Sequence, residues 1–110
     1  MIKDDRIFVR HILESILMAE KYLKNIDKEK FLASPQLIDA IIRRVEIMGE
    51  AVKNISKEYK EKNNNVPWRD IADMRNFLIH EYFNVDKKEV WRTVDEDFPL
   101  LKKTLKKLLK

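Results

Sequence analysis

The chain has 110 residues, a net charge of +4 and no cysteine, and 38% of its residues are charged. This length suits a single domain with one core, so we expect one domain over residues 1–110. The lack of cysteine excludes disulfides and thiolate metal sites and is typical of a reducing, cytoplasmic location. With His11 and His80 as the only histidines, no metal or cofactor is expected. No apolar run approaches the ~20 residues of a membrane span, and the N-terminal residues lack the apolar segment of a signal peptide.

The first half of the sequence predicts two amphipathic helices. Apolar residues recur at three- and four-residue spacing from about residue 4 to residue 25 or 26, which predicts the first helix. Ser34 followed by Pro35 predicts the start of the second, because a serine hydroxyl caps exposed N–H groups and proline at the first helical position needs no N–H. The second apolar stripe ends near residues 57–59. The polar run at 60–65 predicts a loop.

The second half predicts two more helices. The third starts near Pro67 and continues to Tyr82 or Phe83, and residues 84–86 are expected to form a turn. Asp86 followed by Glu89 matches a capping box at the start of the fourth helix. Pro99 should kink or break that helix, because proline removes a hydrogen bond and clashes with the preceding turn. Together the four stripes predict an all-α fold, an antiparallel up-and-down bundle of four to five helices.

The segment at residues 68–86 carries the candidate functional residues Arg75, Asn76, His80 and Tyr82. On one straight helix Arg75 and Tyr82, seven residues apart, would share a face. At ~100° per residue, Arg75 and His80 would point about 140° apart. Three solutions remain open: the arginine side chain curls round, the helix distorts, or a second subunit completes the site.

These residue types fit metal-independent cleavage of RNA. Such a reaction needs a base for the 2′-hydroxyl, a cation for the charge on phosphorus and an acid for the leaving oxygen. Histidine can act as acid or base near neutral pH, and arginine clamps phosphate oxygens. The positive net charge permits an RNA partner. Because one chain offers one plausible catalytic histidine, a ribonuclease reading favours a two-fold homodimer that brings two histidines and two arginines together.

Residues 75–82, RNFLIHEY, contain the spacing Arg-x4-His-x-Tyr. In this motif the chain resembles the HepT-type toxins (the DUF86 family) of the HEPN ribonuclease superfamily. The flanking sequences PW at 67–68, NVD at 84–86 and EIMGEA at 46–51 are similar to that family too, so the resemblance covers most of the chain.

The resemblance implies a metal-independent endoribonuclease toxin of a type II toxin–antitoxin system, working as a homodimer with the motif lining a cleft between subunits. It implies that Arg75 binds phosphate, His80 acts as acid or base, and Asn76 orients or holds the RNA substrate. The implied partner is a small nucleotidyltransferase antitoxin that can transfer AMP to Tyr82 and so block the toxin.

Two other functions are compatible with the same motif. The chain could be a binding module that acts with a nucleotidyltransferase without cutting RNA. It could also be a structural helical domain whose polar motif satisfies a dimer interface. In that last case Arg75 and His80 should each have buried protein partners and no open cleft.

The residues around the motif carry structural expectations of their own. Glu46 or Glu50 could pair with Arg75, since a buried guanidinium needs a partner. Gly49 costs roughly 1 kcal/mol against alanine in the middle of a helix, so we expect it to permit a close helix approach, within the chain or at the dimer interface. Trp68 is expected to be a packing anchor at the start of the third helix.

Overall fold

Long helical stretches make up most of the molecule. The computed structural model describes residues 4–80 and 84–110, except for the side chain of His80. The helices are α1 (Asp5–Tyr22), α2 (Lys28–Leu32), α3 (Pro35–Lys53), α4 (Lys57–Lys62), α5 (Trp68–Leu78), α6 (Lys87–Arg92) and α7 (Phe98–Leu108). A π-helical segment, Thr93–Asp97, joins α6 to α7, and two short strands, β1 (Ile79–His80) and β2 (Asn84–Val85), pair antiparallel. The predicted all-α bundle is confirmed, whereas the homodimer stays a prediction.

The core lies around α3, which packs between α1 and α5. Phe31 of α2 and Phe98 of α7 are among its largest fully buried side chains, and burial of a side chain of this size contributes about 1.5–3 kcal/mol. Phe31 also contacts the ring of Trp91 at a centroid distance of 5.4 Å, which attaches the short α2 to α6. Across the described ranges, none of these helices is both long enough and apolar enough to cross a membrane.

Side chains cap three helix starts, and those at Ser34 and Asp86 confirm the predicted caps. A carboxylate oxygen of Asp4 accepts from the N–H of Arg6 at 3.0 Å, and Ser34 Oγ accepts from the N–H of Leu37 at 3.2 Å. Asp86 Oδ1 accepts from the N–H of Glu89 at 3.1 Å. The Glu89 carboxylate binds Arg92 Nε at 2.6 Å. These side chains fix the starts of α1, α3 and α6 because each satisfies a backbone donor that has no partner within its helix.

The second predicted helix is wrong at its C-terminal end, because two helices occupy that stretch. α3 ends at Lys53 and α4 begins at Lys57. Between them Ser56 donates from its N–H and its hydroxyl to the two carboxylate oxygens of Asp5, both at 2.7 Å. Ile55, between the two helices, is buried. The apolar stripe in the sequence therefore continues across the break and does not reveal it. The contact that ends the helix comes from a residue 51 positions away.

The first helix also ends earlier than predicted, at Tyr22. Asn25 has a φ of 64°, a left-handed conformation that asparagine tolerates better than most residues and that a right-handed helix cannot contain. Asp27 then caps α2, accepting from the N–H of Lys30 at 2.8 Å. This short helix was not predicted, because one buried residue, Phe31, does not form a periodic stripe.

Pro99 has the predicted effect on the last helix, and the break takes the form of a π turn. Proline has no N–H, and its ring clashes with the carbonyl four residues earlier, that of Asp95. The wider π segment lies over that position, and Pro99 stands in the first turn of α7. Arg92 spans the segment, donating to Asp97 at 3.1 and 3.3 Å as well as to Glu89. Hydrogen bonds to Asp97 and then Glu89 raise the pKa of Arg92 above its usual range.

Tyr59 of α4 gives the fold a pH-dependent contribution. Its ring meets Trp68 edge-on with centroids 6.3 Å apart. Burial raises the pKa of Tyr59 above its ordinary value; Arg6 opposes that shift, and Asp5 and Asp4 add to it. The folded protein therefore retains the phenol proton to a higher pH than the unfolded chain does.

We expect the free energy of unfolding to include a contribution from Tyr59 that is fully present below about pH 10. It should be lost as the pH rises through the raised pKa, because the unfolded chain releases the proton first. Urea unfolding of the wild type and of Tyr59→Phe at several pH values between about 8 and 11 measures this difference. The wild type should lose stability more steeply than the variant above pH 10. Parallel curves would contradict the assignment.

Candidate active site around Arg75

Trp68 fixes the start of α5, the helix that carries the motif arginine. Its side chain is 7% exposed, and its indole N–H donates to the carbonyl of Asn63 at 3.1 Å. The backbone N–H of Trp68 donates to the carbonyl of Val66 at 2.8 Å. The predicted packing anchor is confirmed.

Gly49 allows α5 to lie unusually close to α3. A Cβ atom at this position would lie 3.3 Å from the carbonyl oxygen of Ala72 and 3.6 Å from that of Ile71. The predicted close helix approach is therefore confirmed, and it occurs within the chain. Glu46 lies about one turn before Gly49, and Arg75 about one turn after Ala72. The close approach thus brings the carboxylate and the guanidinium face to face.

Arg75 forms an ion pair with Glu46 on the surface between α3 and α5. The distance from Arg75 Nε to Glu46 Oε2 is 3.0 Å, and the two side chains are 48% and 37% exposed. Glu50, the other acid predicted as a partner, instead lies 3.8 Å from Lys53. Within residues 4–80 and 84–110, the terminal nitrogens of Arg75 have no hydrogen-bonding partner. The guanidinium is therefore held at one nitrogen and open at its other end.

An open depression of about 330 Å³ surrounds this ion pair. Its walls come from α3 and α5 and consist of Val45, Glu46, Gly49, Glu50, Lys53, Ala72 and Arg75. A second depression, of about 430 Å³, shares Glu46 and Glu50 and extends over α1 to Phe8 and His11. Arg75 therefore faces solvent from a concave surface, and this does not fit the reading in which a buried partner satisfies it.

The opposite side of α5 is more acidic than the depression around Arg75, where two carboxylates stand beside two cations. A groove of about 480 Å³ runs between α5 and the π segment, and its lining includes Met74, Leu78 and Thr93. Among the described residues, four carboxylates line it against a single cation, Arg92: Asp70, Asp86, Glu89 and Asp97. Two of those carboxylates already bind that cation. Because this groove would repel a phosphate, the Arg75 side is the candidate site for RNA.

The structure corrects the prediction that one helix carries the whole motif. α5 ends at Leu78, and Ile79 is extended, with φ −115° and ψ 110°. The backbone of His80 then pairs with Asn84, and the N–H of Asp86 donates to the carbonyl of Leu78 at 2.8 Å. The predicted turn at 84–86 is likewise wrong, since β2 and the cap of α6 occupy it. The helical-wheel angle of about 140° between Arg75 and His80 therefore does not apply.

The described residues of the motif are distributed over the end of α5 and the short strand β1. Arg75 and Asn76 are exposed on the last turn and a half of α5, and Asn76 forms no side-chain hydrogen bond within the described part of the chain. His80 lies in β1, two residues beyond the helix. Tyr82 and the predicted face that it shares with Arg75 lie outside the described residues, as does the side chain of His80. In the same ranges, no group of three or more His, Asp or Glu side chains is arranged to bind a metal ion.

The sequence contains a signal for the paired strands, but the helical stripe is the stronger pattern. Ile79 and Val85, which pair in the structure, are β-branched, a residue type enriched in strands. The apolar stripe Ile71, Met74, Leu78 predicts a helix, and Tyr82 continues its three- and four-residue spacing. This spacing extends the predicted helix past Leu78.

Comparison with known proteins gives this arrangement a family. The family model described as "Ribonuclease HepT-like" matches residues 12–108. The chain belongs to the HepT-like ribonuclease family. A "Putative RNase" of Caldanaerobacter subterraneus subsp. tengcongensis is 43% identical over 107 residues, covering 97% of this chain and 96% of that protein. The "Probable ribonuclease HepT" of Thermococcus cleftensis is 43% identical over 103 residues, covering 94% of each.

A third HepT-like relative is longer. The "Gamma-glutamylcyclotransferase and putative RNase" of Methanocaldococcus jannaschii is 46% identical over 109 residues, which are 99% of this chain and 49% of that protein. The chain therefore spans about half the length of that relative, whose cyclotransferase name describes that protein. No solved structure gave a significant match.

Proposed function

We propose that this HepT-like protein is a metal-independent endoribonuclease whose active centre contains Arg75 and His80. The observation that supports this most directly is the state of Arg75. It lies in an open depression, and among residues 4–80 and 84–110 it is bound through Nε alone, which leaves its terminal nitrogens without an acceptor there. The ribonuclease names of its relatives support the same reaction class.

In the proposed reaction a histidine removes the proton from a 2′-hydroxyl of RNA. The resulting oxygen attacks the adjacent phosphorus, and the bond from phosphorus to the 5′-oxygen breaks. An acid gives that oxygen a proton, so that the products are a 2′,3′-cyclic phosphate and a 5′-hydroxyl end. Arg75 stabilises the negative charge on the non-bridging oxygens, and the exposed amide of Asn76 orients the substrate.

Arg75 lies near the end of α5 and His80 lies in β1, so a second chain can complete the centre. We propose a two-fold homodimer in which the two motifs face a shared cleft, and each active centre there takes Arg75 from one subunit and its acid/base group, His80, from the partner. Phe77, between Asn76 and His80 in sequence, is 60% exposed. An exposed aromatic side chain of this kind is typical of a surface that a second subunit covers.

Cleavage of a labelled mixed-sequence RNA in the presence of a chelator tests the reaction. The wild type should cut this RNA and leave a strand of the same sequence with 2′-deoxy sugars intact, because the nucleophile is the 2′-hydroxyl. Arg75→Ala and His80→Ala should each lower the rate by about 100-fold or more, the usual loss when a group that stabilises or transfers charge is removed. Cutting that persists in both variants would refute the proposed active centre.

The resemblance to HepT-type toxins supports a biological setting as well. We propose that the protein is the cytoplasmic toxin of a type II toxin–antitoxin pair. Its antitoxin would be a small nucleotidyltransferase that inactivates it by attaching AMP to the hydroxyl of Tyr82. A nucleotidyltransferase gene beside this one, and a mass increase of one AMP that Tyr82→Phe abolishes, are the expected findings.

The alternative is a HepT-like binding module that acts with a nucleotidyltransferase and cuts no RNA. It predicts that RNA remains intact with the wild type while the partner still binds. The state of Arg75 favours the nuclease. Its terminal nitrogens have no acceptor among the described residues, and this end of a guanidinium is well suited to binding two oxygens of a phosphate.

A further inference from the structure

We infer that Glu46 is a positioning residue for the reaction, since its carboxylate holds Nε of Arg75 and thereby directs the two terminal nitrogens toward the RNA phosphate. This role rests on the proposed ribonuclease function and adds to it a residue outside the Arg-x4-His-x-Tyr motif. Glu46 lies on α3, whereas the motif begins on α5.

The geometry of the ion pair carries the inference. A guanidinium has five N–H donors in a fixed planar fork, and two parallel bonds from it can hold a carboxylate or a phosphate. Glu46 Oε2 lies 3.0 Å from Nε, the nitrogen nearest the chain. The described residues place no acceptor on the two terminal nitrogens. Glu46 therefore occupies one edge of the guanidinium and leaves the end that can bind two phosphate oxygens.

The backbone beneath the pair is fixed as well. The contact between Gly49 and the Ala72 carbonyl sets the spacing of α3 and α5 one turn away from each partner. A long arginine side chain on an exposed helix would otherwise sample many rotamers, and ordering it on binding costs free energy. Because Glu46 already holds Nε, less side-chain entropy is lost when Arg75 binds the phosphate. Correct orientation of a charged group also affects the rate strongly.

Fold stability explains the Arg75–Glu46 ion pair less well than positioning of Arg75 does. Both side chains are more than a third exposed, and exposed ion pairs contribute little to stability. Glu50 stands one turn further along α3 and also lines the depression, yet it lies near Lys53 and not near Arg75. Glu50 is therefore a matched control: the same residue type, the same helix and the same depression, without the contact to Nε.

The test compares Glu46→Ala, Glu46→Gln and Glu50→Ala in the RNA cleavage assay, with kcat and KM measured separately. Glu46→Ala should lower kcat about tenfold, since a misplaced charged group loses much of its effect on the transition state. Its KM should change less, because removal of a negative charge near the phosphate favours RNA binding. Glu46→Gln keeps an oxygen that accepts from Nε and should restore most of kcat. Glu50→Ala should keep the wild-type kcat, with the same small effect of the lost charge on KM, and all variants should have similar melting temperatures.

A double-mutant cycle with Arg75→Ala separates positioning from a general structural effect. Glu46→Ala should have almost no further effect on the residual rate when Arg75 is absent, because the two residues act as one unit. An undiminished kcat in Glu46→Ala, a kcat in Glu46→Gln as low as in Glu46→Ala, or additive losses in the double variant would each overturn the role of Glu46. A wild type that cuts no RNA would overturn the proposed function itself, and with it this role. The wild-type assay by itself therefore distinguishes a failure of the proposed function from a failure of the role of Glu46.

Discussion

An equimolar mixture of Arg75→Ala and His80→Ala chains, unfolded and refolded together, should recover about a quarter of the wild-type cleavage rate. Random pairing gives heterodimers for about half of all dimers. If each active centre takes Arg75 from one subunit and His80 from its partner, every heterodimer contains one centre with both residues and one with neither. Each variant alone has no intact centre and should remain at about 1% or less of the wild-type rate.

The controls for this mixture come from the same chains. Wild type taken through unfolding and refolding sets the full rate, and the two variants refolded separately and mixed afterwards show the rate without subunit exchange. The double variant Arg75→Ala with His80→Ala, refolded with an equal amount of wild type, should give heterodimers in which neither centre is intact, so that only the wild-type homodimers, about a quarter of all dimers, cut RNA. A rate near one half of the wild-type rate in that mixture would contradict a centre shared between subunits, as would no recovery in the first mixture.

Replacement of Gly49 by valine should destabilise the protein strongly. The added Cβ would lie 3.3 Å from the Ala72 carbonyl oxygen and 3.6 Å from that of Ile71, and the further methyl groups would add bulk at this close contact between α3 and α5. Overpacking of this kind costs roughly 1–3 kcal/mol. In a domain of about this size that lowers the melting temperature by roughly 10 °C. Thermal unfolding followed by circular dichroism measures the shift.

The controls for Gly49→Val distinguish crowding from helix propensity. Asp39→Val introduces the same residue at an exposed position of α3 and should change stability little. Gly49→Ala should lie between the two, because a gain of about 1 kcal/mol in helix propensity opposes a contact that is short by a few tenths of an ångström. An equally stable Gly49→Val would mean that α3 and α5 separate easily. The proposed position of Arg75 would then lose its support.

The helix starts could be predicted because the residues that determine them lie within a few positions of one another. Ser34 with Pro35, and Asp86 three residues before Glu89, contain their capping chemistry in the local sequence. The break after α3 could not be predicted in this way. Ser56 is bound by Asp5, and no local pattern announces a partner 51 residues away.

The sequence predicts one ion pair of the candidate site and misses the backbone geometry around it. The motif predicts Arg75 and His80 as active residues, which stays a prediction, and Glu46, one of the two acids predicted as partners of Arg75, is confirmed as its partner. Periodicity placed all of these motif residues on one helix, because Leu78 continues the apolar stripe to the end of α5. The extended backbone of Ile79 depends on pairing with Val85, a tertiary contact that competes with helix propensity and is stronger here.

The two sides of α5 have a consequence for how the protein would engage a polyanion. Arg75 has few cationic neighbours, Lys53 among them, while the reverse side of the same helix carries a row of carboxylates. A nucleic acid strand can therefore follow only one side of the helix for a short distance before it meets repulsion. Each phosphate that a protein neutralises adds about 0.7 to the steepness with which the logarithm of single-strand affinity falls with the logarithm of salt concentration, so a footprint of few phosphates would mean an affinity that falls gently with ionic strength. Under the proposed nuclease function, such a footprint would select a scissile bond by local fit and leave most of the substrate in solvent.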